Sequence, residues 1–143
     1  MRISNLLAAK GSSVATITGE ATVADAVAEL ARHRIGALVV SADGAHIDGI
    51  VSERDIVRAL GDRSGTLLED PVSSIMTRVV ATSSPGDEVE SLMRTMTERR
   101  VRHVPVVQDG VLAGIVSIGD VVKSRIDELE KDRKELVDYI NAR

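Results

Sequence analysis

The 143-residue chain contains no cysteine, tryptophan or phenylalanine, and its single aromatic residue is Tyr139. The lack of cysteine excludes a disulfide framework and thiol chemistry. Together with an N-terminus that has no apolar signal stretch, it predicts a reducing, cytoplasmic environment. The scarcity of stacking aromatics and a net charge of −4 argue against a nucleic-acid partner. No apolar run approaches the ~18 residues of a membrane span, so we expect no membrane contact.

The most informative feature present is a motif that occurs twice. Residues 49–55 read GIVSERD, and residues 114–120 read GIVSIGD. In each copy the β-branched pair predicts a buried strand, and a serine followed three positions on by an aspartate predicts a capping box at a helix start. A single serine–aspartate pair at this spacing usually serves only to cap a helix. Its repetition favours a second role, because a helix N-terminus suits a phosphate and an aspartate can accept hydrogen bonds from ribose hydroxyls.

The segments around the motif also repeat and predict two β-α-β-β-α units in an α/β (α+β) fold. In the first unit we expect a strand over 14–17, a helix from Thr22, a strand over 35–40 and a turn at Asp43-Gly44. In the second unit we expect a strand over 80–82, a helix from Asp87, a strand over 101–107 and a turn at Asp109-Gly110. Because units this small are marginal alone, we expect them to pack sheet to sheet about a pseudo-two-fold axis.

The chain abandons the repeat from Val121 to Arg143. Apolar residues recur there at three- and four-residue steps, interrupted by Arg133; they are Val122, Ile126, Leu129, Leu136 and Ile140. This stripe predicts a helix that packs on its own unit or on a second subunit. We therefore expect a first unit over 1–62, a linker over 63–71, a second unit over 72–124 and an amphipathic C-terminal helix over 125–143.

The doubled motif, the VSSIMT sequence of residues 72–77 and the RHVPV sequence of residues 102–106 resemble a tandem pair of cystathionine β-synthase (CBS) domains. The resemblance covers residues 1 to about 125. The motif sequences at 52–58 and 117–123 are similar to those of stand-alone bacterial and plant mitochondrial proteins with no attached enzyme. It implies a regulatory module that senses AMP, ADP, ATP, S-adenosylmethionine or NAD(H). It also implies a homodimer that signals by conformational change to an unidentified regulated protein.

The resemblance further implies which residues contact a nucleotide. Asp55 and Asp120 would hold ribose hydroxyls, and Ser52 and Ser117 would approach ribose or phosphate. The adenine would be edged by Thr16 and Thr82. The remaining candidates, from the strands that wall the clefts and from the two motifs, are Ile35, Gly36, Ala37, Leu38, Arg54, Val101, Arg102, His103, Val104, Pro105 and Gly119.

The two predicted clefts are not chemically equivalent. Where the second motif has Ile118-Gly119 the first has Glu53-Arg54, and where the second strand has Arg102-His103 the first has Gly36-Ala37. Arg102 and His103 form either a phosphate-binding rim or part of a solvated basic face.

Catalytic and metal-binding roles are not expected for this chain. Its three histidines, at positions 33, 46 and 103, match no metal-ligand spacing, and no nucleophile or paired carboxylates accompany them. The alternative to a nucleotide sensor is an interaction scaffold, whose clefts are vestigial and whose serines and aspartates only cap helices.

Overall fold

The helices and strands follow the order of two repeats in a computed structural model that describes residues 1–63, 65–78 and 81–142. Those of the first half are α1 (Ile3–Lys10), β1 (Thr16–Ile17), α2 (Val23–His33), β2 (Ala37–Val40), β3 (Gly49–Ser52) and α3 (Glu53–Asp62). Two single-turn 3-10 helices follow, at Leu67–Glu69 and Val72–Ser74. Those of the second half are α4 (Val89–Arg99), β4 (His103–Gln108), β5 (Val111–Ser117) and α5 (Ile118–Asn141).

The strands form two small sheets. In the first, β2 lies between β1, to which it is parallel, and β3, to which it is antiparallel. The second sheet is the antiparallel pair of β4 and β5. The register places Ala37 opposite Ser52 in one sheet and His103 opposite Ser117 in the other. The serine of each motif therefore lies beside the strand that was expected to wall a cleft.

The predicted strand over 80–82 is wrong in its described part. Val80 lies outside the described residues, and Ala81 and Thr82 belong to no strand. The contact with β4 is a single parallel bridge from Ser83 to Val106. A turn closed by a hydrogen bond from the Asp87 N–H to the Ser84 carbonyl follows at once, so pairing with β4 does not continue beyond Ser83.

The predicted start of α4 at Asp87 is also wrong. The Asp87 carboxylate accepts a hydrogen bond from the Ser84 N–H at 2.9 Å and so closes the preceding turn. Glu88 is the N-cap residue instead, with no side-chain capping bond. The helix predicted from Thr22 is confirmed, since Thr22 and Asp25 form a complete capping box at the start of α2.

The two predicted turns have different outcomes. Asp109-Gly110 connects β4 directly to β5, with both residues at positive φ, as a two-residue hairpin requires. Asp43-Gly44 does not make a tight hairpin, because residues 41–48 form a wider loop between β2 and β3. The Asp43 carboxylate stabilises this loop by accepting the N–H groups of Ala45 and His46, each at 2.8 Å.

The apolar residues form two clusters, and each cluster includes the segment that precedes the other repeat. Leu67 and Val72, which lead into the second repeat, are buried in the cluster of the first sheet. Ile3, Leu6 and Leu7, which lead into the first repeat, are buried in the cluster of the second sheet. The buried residues thus form two cores with exchanged leading segments.

The repeated glycine of the motif leaves room for these exchanged segments. A Cβ atom on Gly49 would lie 2.6 Å from the Thr77 carbonyl oxygen. On Gly114 it would lie 2.8 Å from a methyl carbon of Leu7. A side chain at Gly49 would therefore collide with the backbone, and one at Gly114 would require the Leu7 side chain to move.

The second repeat and the C-terminal segment share one helix. α5 begins at Ile118 and continues for 24 residues, so the expected boundary at 124/125 falls inside it. Val121 is buried against the second core, whereas every described residue from 129 onward is exposed. Within the described ranges, no helix is long and apolar enough to cross a membrane.

Candidate functional site

Both motif serines cap a helix in the way that the sequence predicted. Ser52 Oγ accepts the Asp55 N–H at 3.3 Å, and Asp55 Oδ2 accepts the Ser52 N–H at 2.8 Å. The same reciprocal pair joins Ser117 and Asp120, at 3.1 and 2.8 Å. Each aspartate carboxylate is therefore fixed at the positive end of a helix, with one oxygen committed to the cap.

The backbone confirms which residues of the two repeats are equivalent. The Glu53 N–H donates to the Gly36 carbonyl at 3.0 Å, and the Ile118 N–H donates to the Arg102 carbonyl at 2.8 Å. Gly36 and Arg102 thus occupy equivalent positions beside the first residues of α3 and α5. Gly36 has no side chain there, whereas Arg102 carries a guanidinium group. The inequality of the two clefts follows from this difference.

A cavity of about 450 Å³, the first cleft, combines residues of both repeats. The predicted site residues that line it are Gly36, Ser52, Arg54, Asp55, Val101, Arg102 and His103. Arg102 therefore shares a cavity with the first motif's aspartate, not with the aspartate of its own repeat. Sequence comparison of the repeats does not reveal this pairing, because it depends on how the two halves pack.

The first cleft is rich in cationic side chains. Five arginines line it, and they are Arg54, Arg58, Arg99, Arg100 and Arg102. The carboxylates of Glu53 and Asp55 lie in the same cavity. Arg58, Arg99 and Arg100 were not predicted as site residues, although Arg58, four residues after Arg54 on α3, lies on the same helix face. An excess of guanidinium groups beside a helix N-terminus is suited to a phosphorylated ligand.

A second cavity of about 590 Å³, the second cleft, contains the other motif aspartate. The predicted site residues that line it are Ile35, Gly36, Ala37, His103, Ser117 and Asp120. Its cationic side chains are Lys10 and Arg34, neither of which was predicted. Gly36 and His103 line both clefts, so they lie at the boundary between them.

Lys10 occupies the hydrogen-bonding position beside Asp120. Its ammonium donates to Asp120 Oδ2 at 2.6 Å and to the Ile115 carbonyl at 2.7 Å. In the other half, Thr77 contacts the corresponding residues: its N–H donates to the Ile50 carbonyl at 2.9 Å, and its hydroxyl donates at 3.3 Å to Asp55 Oδ1, the carboxylate oxygen that is not in the cap. The motif aspartate of the second cleft is therefore bonded by a charged ammonium group, whereas that of the first cleft is bonded by a neutral hydroxyl.

The contact with Lys10 helps to lower the pKa of the Asp120 carboxyl. Partial burial by itself would raise the pKa of the Asp120 carboxyl, but the hydrogen bonds from Lys10 and Ser117 outweigh it and lower the pKa. Asp120 is thus an ionised carboxylate whose charge is already matched by an ammonium group.

The imidazole of His103 lies against Gly36 between the two clefts. A Cβ atom on Gly36 would be 3.3 Å from the ring atoms Cε1 and Nε2. Burial lowers the pKa of His103 and outweighs the opposing effect of Asp120 and Glu53. The ring is therefore neutral at pH 7, and it can donate one hydrogen bond and accept another.

Six predicted residues line neither cleft. Leu38, Val104 and Pro105 are buried, and strand alternation explains the first two, because their neighbours Ala37 and His103 face the second cleft. Thr16 pairs with Val39 inside the first sheet. The other two are the exposed residues Thr82 and Gly119. Among the described residues, no group of three or more His, Asp or Glu side chains could hold a metal ion.

Comparison with known proteins agrees with this architecture. Residues 11–62 and 72–127 each match the CBS domain. The CBS domain-containing protein CBSX3, mitochondrial, of Arabidopsis thaliana is 36% identical over 148 residues, which cover 98% of this chain and 72% of that protein.

Two solved structures are similar to this chain over most of their length. The CBS-domain containing protein ATU1752 from Agrobacterium tumefaciens is 42% identical with a TM-score of 0.84, over 87% of this chain and 99% of that one. The CBS domain protein PAE2072 from Pyrobaculum aerophilum, complexed with AMP, is 32% identical with a TM-score of 0.75, over 84% and 89%.

Proposed function

Because this chain belongs to the CBS domain family and carries two copies of the domain, we propose that it is a non-enzymatic regulatory module that binds a phosphorylated adenosine ligand in the first cleft. The observation that carries the proposal is the meeting of Asp55 and five arginines in one cavity of about 450 Å³. Ligand pockets of this size are typical, and the two chemistries fit the ribose and the phosphate of one nucleotide.

The ligand class is supported by charge and by likeness. A relative of 32% identity was solved in complex with AMP. AMP, ADP, ATP and NAD(H) each offer ribose hydroxyls and one or more phosphates, and five guanidinium groups favour the more highly charged members of this set. The second cleft is the weaker site, because Lys10 already bonds to Asp120 there.

The regulatory output is proposed to come from the composite nature of the first cleft. Its wall includes α3 and β3 of the first repeat and the segment from Arg99 to His103 of the second. A ligand that binds both repeats favours one arrangement of the two over others and so alters the surface offered to a regulated protein. The proposed location is the cytoplasm, which subcellular fractionation of the tagged chain tests.

The alternative function is an interaction scaffold without a ligand. It is favoured by the complete capping boxes, since Ser52, Asp55, Ser117 and Asp120 all have a structural role. Under this alternative, replacing either aspartate lowers stability by about 1 kcal/mol and changes no affinity.

Calorimetric titration of AMP and adenosine separates the two functions. We expect Arg102→Ala to weaken AMP binding by about ten- to a hundredfold, the cost of one charge-assisted hydrogen bond, and to change adenosine binding little. Asp55→Ala should weaken both ligands, because both carry ribose hydroxyls. The matched control is Arg94→Ala, an arginine of α4 that lines neither cleft. Absence of binding by any nucleotide at millimolar concentration would favour the scaffold.

A further inference from the structure

The C-terminal part of α5 carries an apolar stripe that the described residues of the chain leave exposed. Its members are each at least 50% exposed, and they are Val122, Ile126, Leu129, Leu136 and Ile140. The match to the CBS domain ends at residue 127. A helix of this length in water is usually stabilised by packing of its apolar face, so the exposed stripe requires a partner.

The spacing of the stripe is that of a heptad repeat. Steps of four and three residues alternate from 122 to 140 once Arg133 is included. Ile126, Arg133 and Ile140 then occupy the a positions, and Val122, Leu129 and Leu136 the d positions. Isoleucine at the a positions with leucine at the d positions favours a parallel coiled coil of two helices. A single polar residue at one a position fixes the register of the two helices.

The charges that flank the stripe match a second copy of the same helix in parallel. In that arrangement a g residue meets the e residue five positions further along the partner helix. Arg125 is at g and Glu130 is at e, so each helix offers the other an opposite charge. Arg125 contacts Glu128 of its own helix at 3.2 Å, and its five N–H donors suffice for both carboxylates. Asp132, at g, lies beside the a position of the partner helix and can pair with Arg133 there.

The antiparallel arrangement of the same stripe brings like charges together. Matching a to d layers places Ile126 opposite Leu136 and Leu129 opposite Arg133. Glu130 then meets Glu130 of the second copy, and Asp132 meets Asp132. The parallel arrangement also places Arg133 beside Arg133 of the second copy, but Asp132 of each copy lies next to this pair and offsets the repulsion. Like charges in direct opposition oppose association, so the charge pattern favours the parallel orientation.

We propose that residues 122–140 form a parallel, in-register, two-stranded coiled coil with a second copy of this chain. Ile126 and Ile140 form the outer a layers, and Arg133 with Asp132 of the second copy forms a central polar layer that fixes the register. This dimer does not depend on a ligand in either cleft.

The natural absence of cysteine allows a direct test with single thiols in the full-length chain. Under mild oxidation, Ile126→Cys and Leu136→Cys should each cross-link to themselves, because a disulfide forms only between side chains in contact. Lys131→Cys, on the outer face of the helix, is the matched control and should remain uncross-linked. Cross-links that appear only when Ile126→Cys and Leu136→Cys are mixed would show the antiparallel arrangement and overturn the proposal.

Charge exchange tests the same register without any cross-link. Sedimentation of the wild-type chain at micromolar concentration should give about twice the 15.2 kDa chain mass. Arg125→Glu alone should weaken association about tenfold, and Arg125→Glu with Glu130→Arg should restore it. Arg133→Ile should tighten association, since the polar layer costs stability. A 15.2 kDa species in the wild type, or a double variant as weak as the single one, would refute the coiled coil.

Discussion

The contact between Lys10 and Asp120 allows the sharpest test of the asymmetry between the clefts. Lys10→Met keeps the length of the side chain and removes the ammonium, which leaves the Asp120 carboxylate with its capping bond from Ser117. A charge-assisted hydrogen bond contributes roughly 1.5 to 3 kcal/mol when it is well protected. Because the two side chains are 29% and 26% exposed, solvent screening reduces this, and we expect a loss of about 1 kcal/mol in the free energy of unfolding.

The pH dependence of the loss identifies its cause. The pKa of Asp120 is lowered in the folded chain, so its contribution to stability is present above the ordinary aspartate pKa. It is lost as the pH falls through the folded value. Wild type and Lys10→Met should therefore differ at pH 7 and converge in acid, below a pH of about 3.9. Carboxyl NMR of the variant should show the pKa of Asp120 raised relative to wild type, because burial is then less opposed.

A double-mutant cycle with Asp120→Asn isolates the pair from the capping box. Urea unfolding of wild type, both single variants and the double variant gives the coupling energy directly. Lys123→Met is the control, since Lys123 is an exposed lysine for which the described residues show no ion pair. A coupling energy below about 0.3 kcal/mol would refute the assignment of Lys10 as the partner of Asp120.

The same variant tests the effect of Lys10 on ligand binding. In the wild type, Lys10 already bonds the Asp120 carboxylate through Oδ2, so a nucleoside hydroxyl that binds the same carboxylate competes with the ammonium, at a cost of about 1 kcal/mol. Lys10→Met should therefore tighten adenosine binding in the second cleft about fivefold. Unchanged adenosine affinity, together with a measured coupling energy, would show that Asp120 does not contact the ligand.

Three further predictions concern stability. Gly49→Ala should lower the free energy of unfolding by about 1 to 3 kcal/mol, because the new Cβ meets the backbone oxygen of Thr77, whereas Gly114→Ala should cost less, because the methyl end of Leu7 can move. Thermal unfolding of both variants measures the difference, and equal losses would contradict it. Stability should fall as the pH drops below about 6.5, since burial lowers the pKa of His103 and the unfolded chain binds the proton more readily. His103→Gln should remove that part of the slope in a denaturation series across pH. Ser52→Ala and Ser117→Ala should each cost about 1 kcal/mol through loss of a capping bond, which urea unfolding would detect.

The parts of the fold that follow from local interactions could be predicted from the sequence. The capping boxes at Ser52 and Ser117 require only residues three positions apart, and the hairpin at Asp109-Gly110 requires two residues that accept positive φ. The wrong predictions at Asp43-Gly44 and Asp87 are also local, because each aspartate bonds to backbone groups in its own turn. An aspartate side chain can cap a helix, sit in a tight hairpin or bond to backbone N–H groups of a loop, and residue preference alone does not predict which of these it does.

By itself, the sequence determined the two repeats, the capped helix after each motif and the heptad spacing of the last helix, because periodicity and capping act over a few residues. The tertiary structure decided which leading segment enters which core, and thereby which residues share a cleft. Arg102 lines the same cavity as Asp55 rather than that of Asp120, and Lys10 bonds to Asp120. Both relations arise from the packing of segments that are far apart in the chain. Burial of apolar surface is not directional, so two equally apolar leading segments give no local signal of their destination.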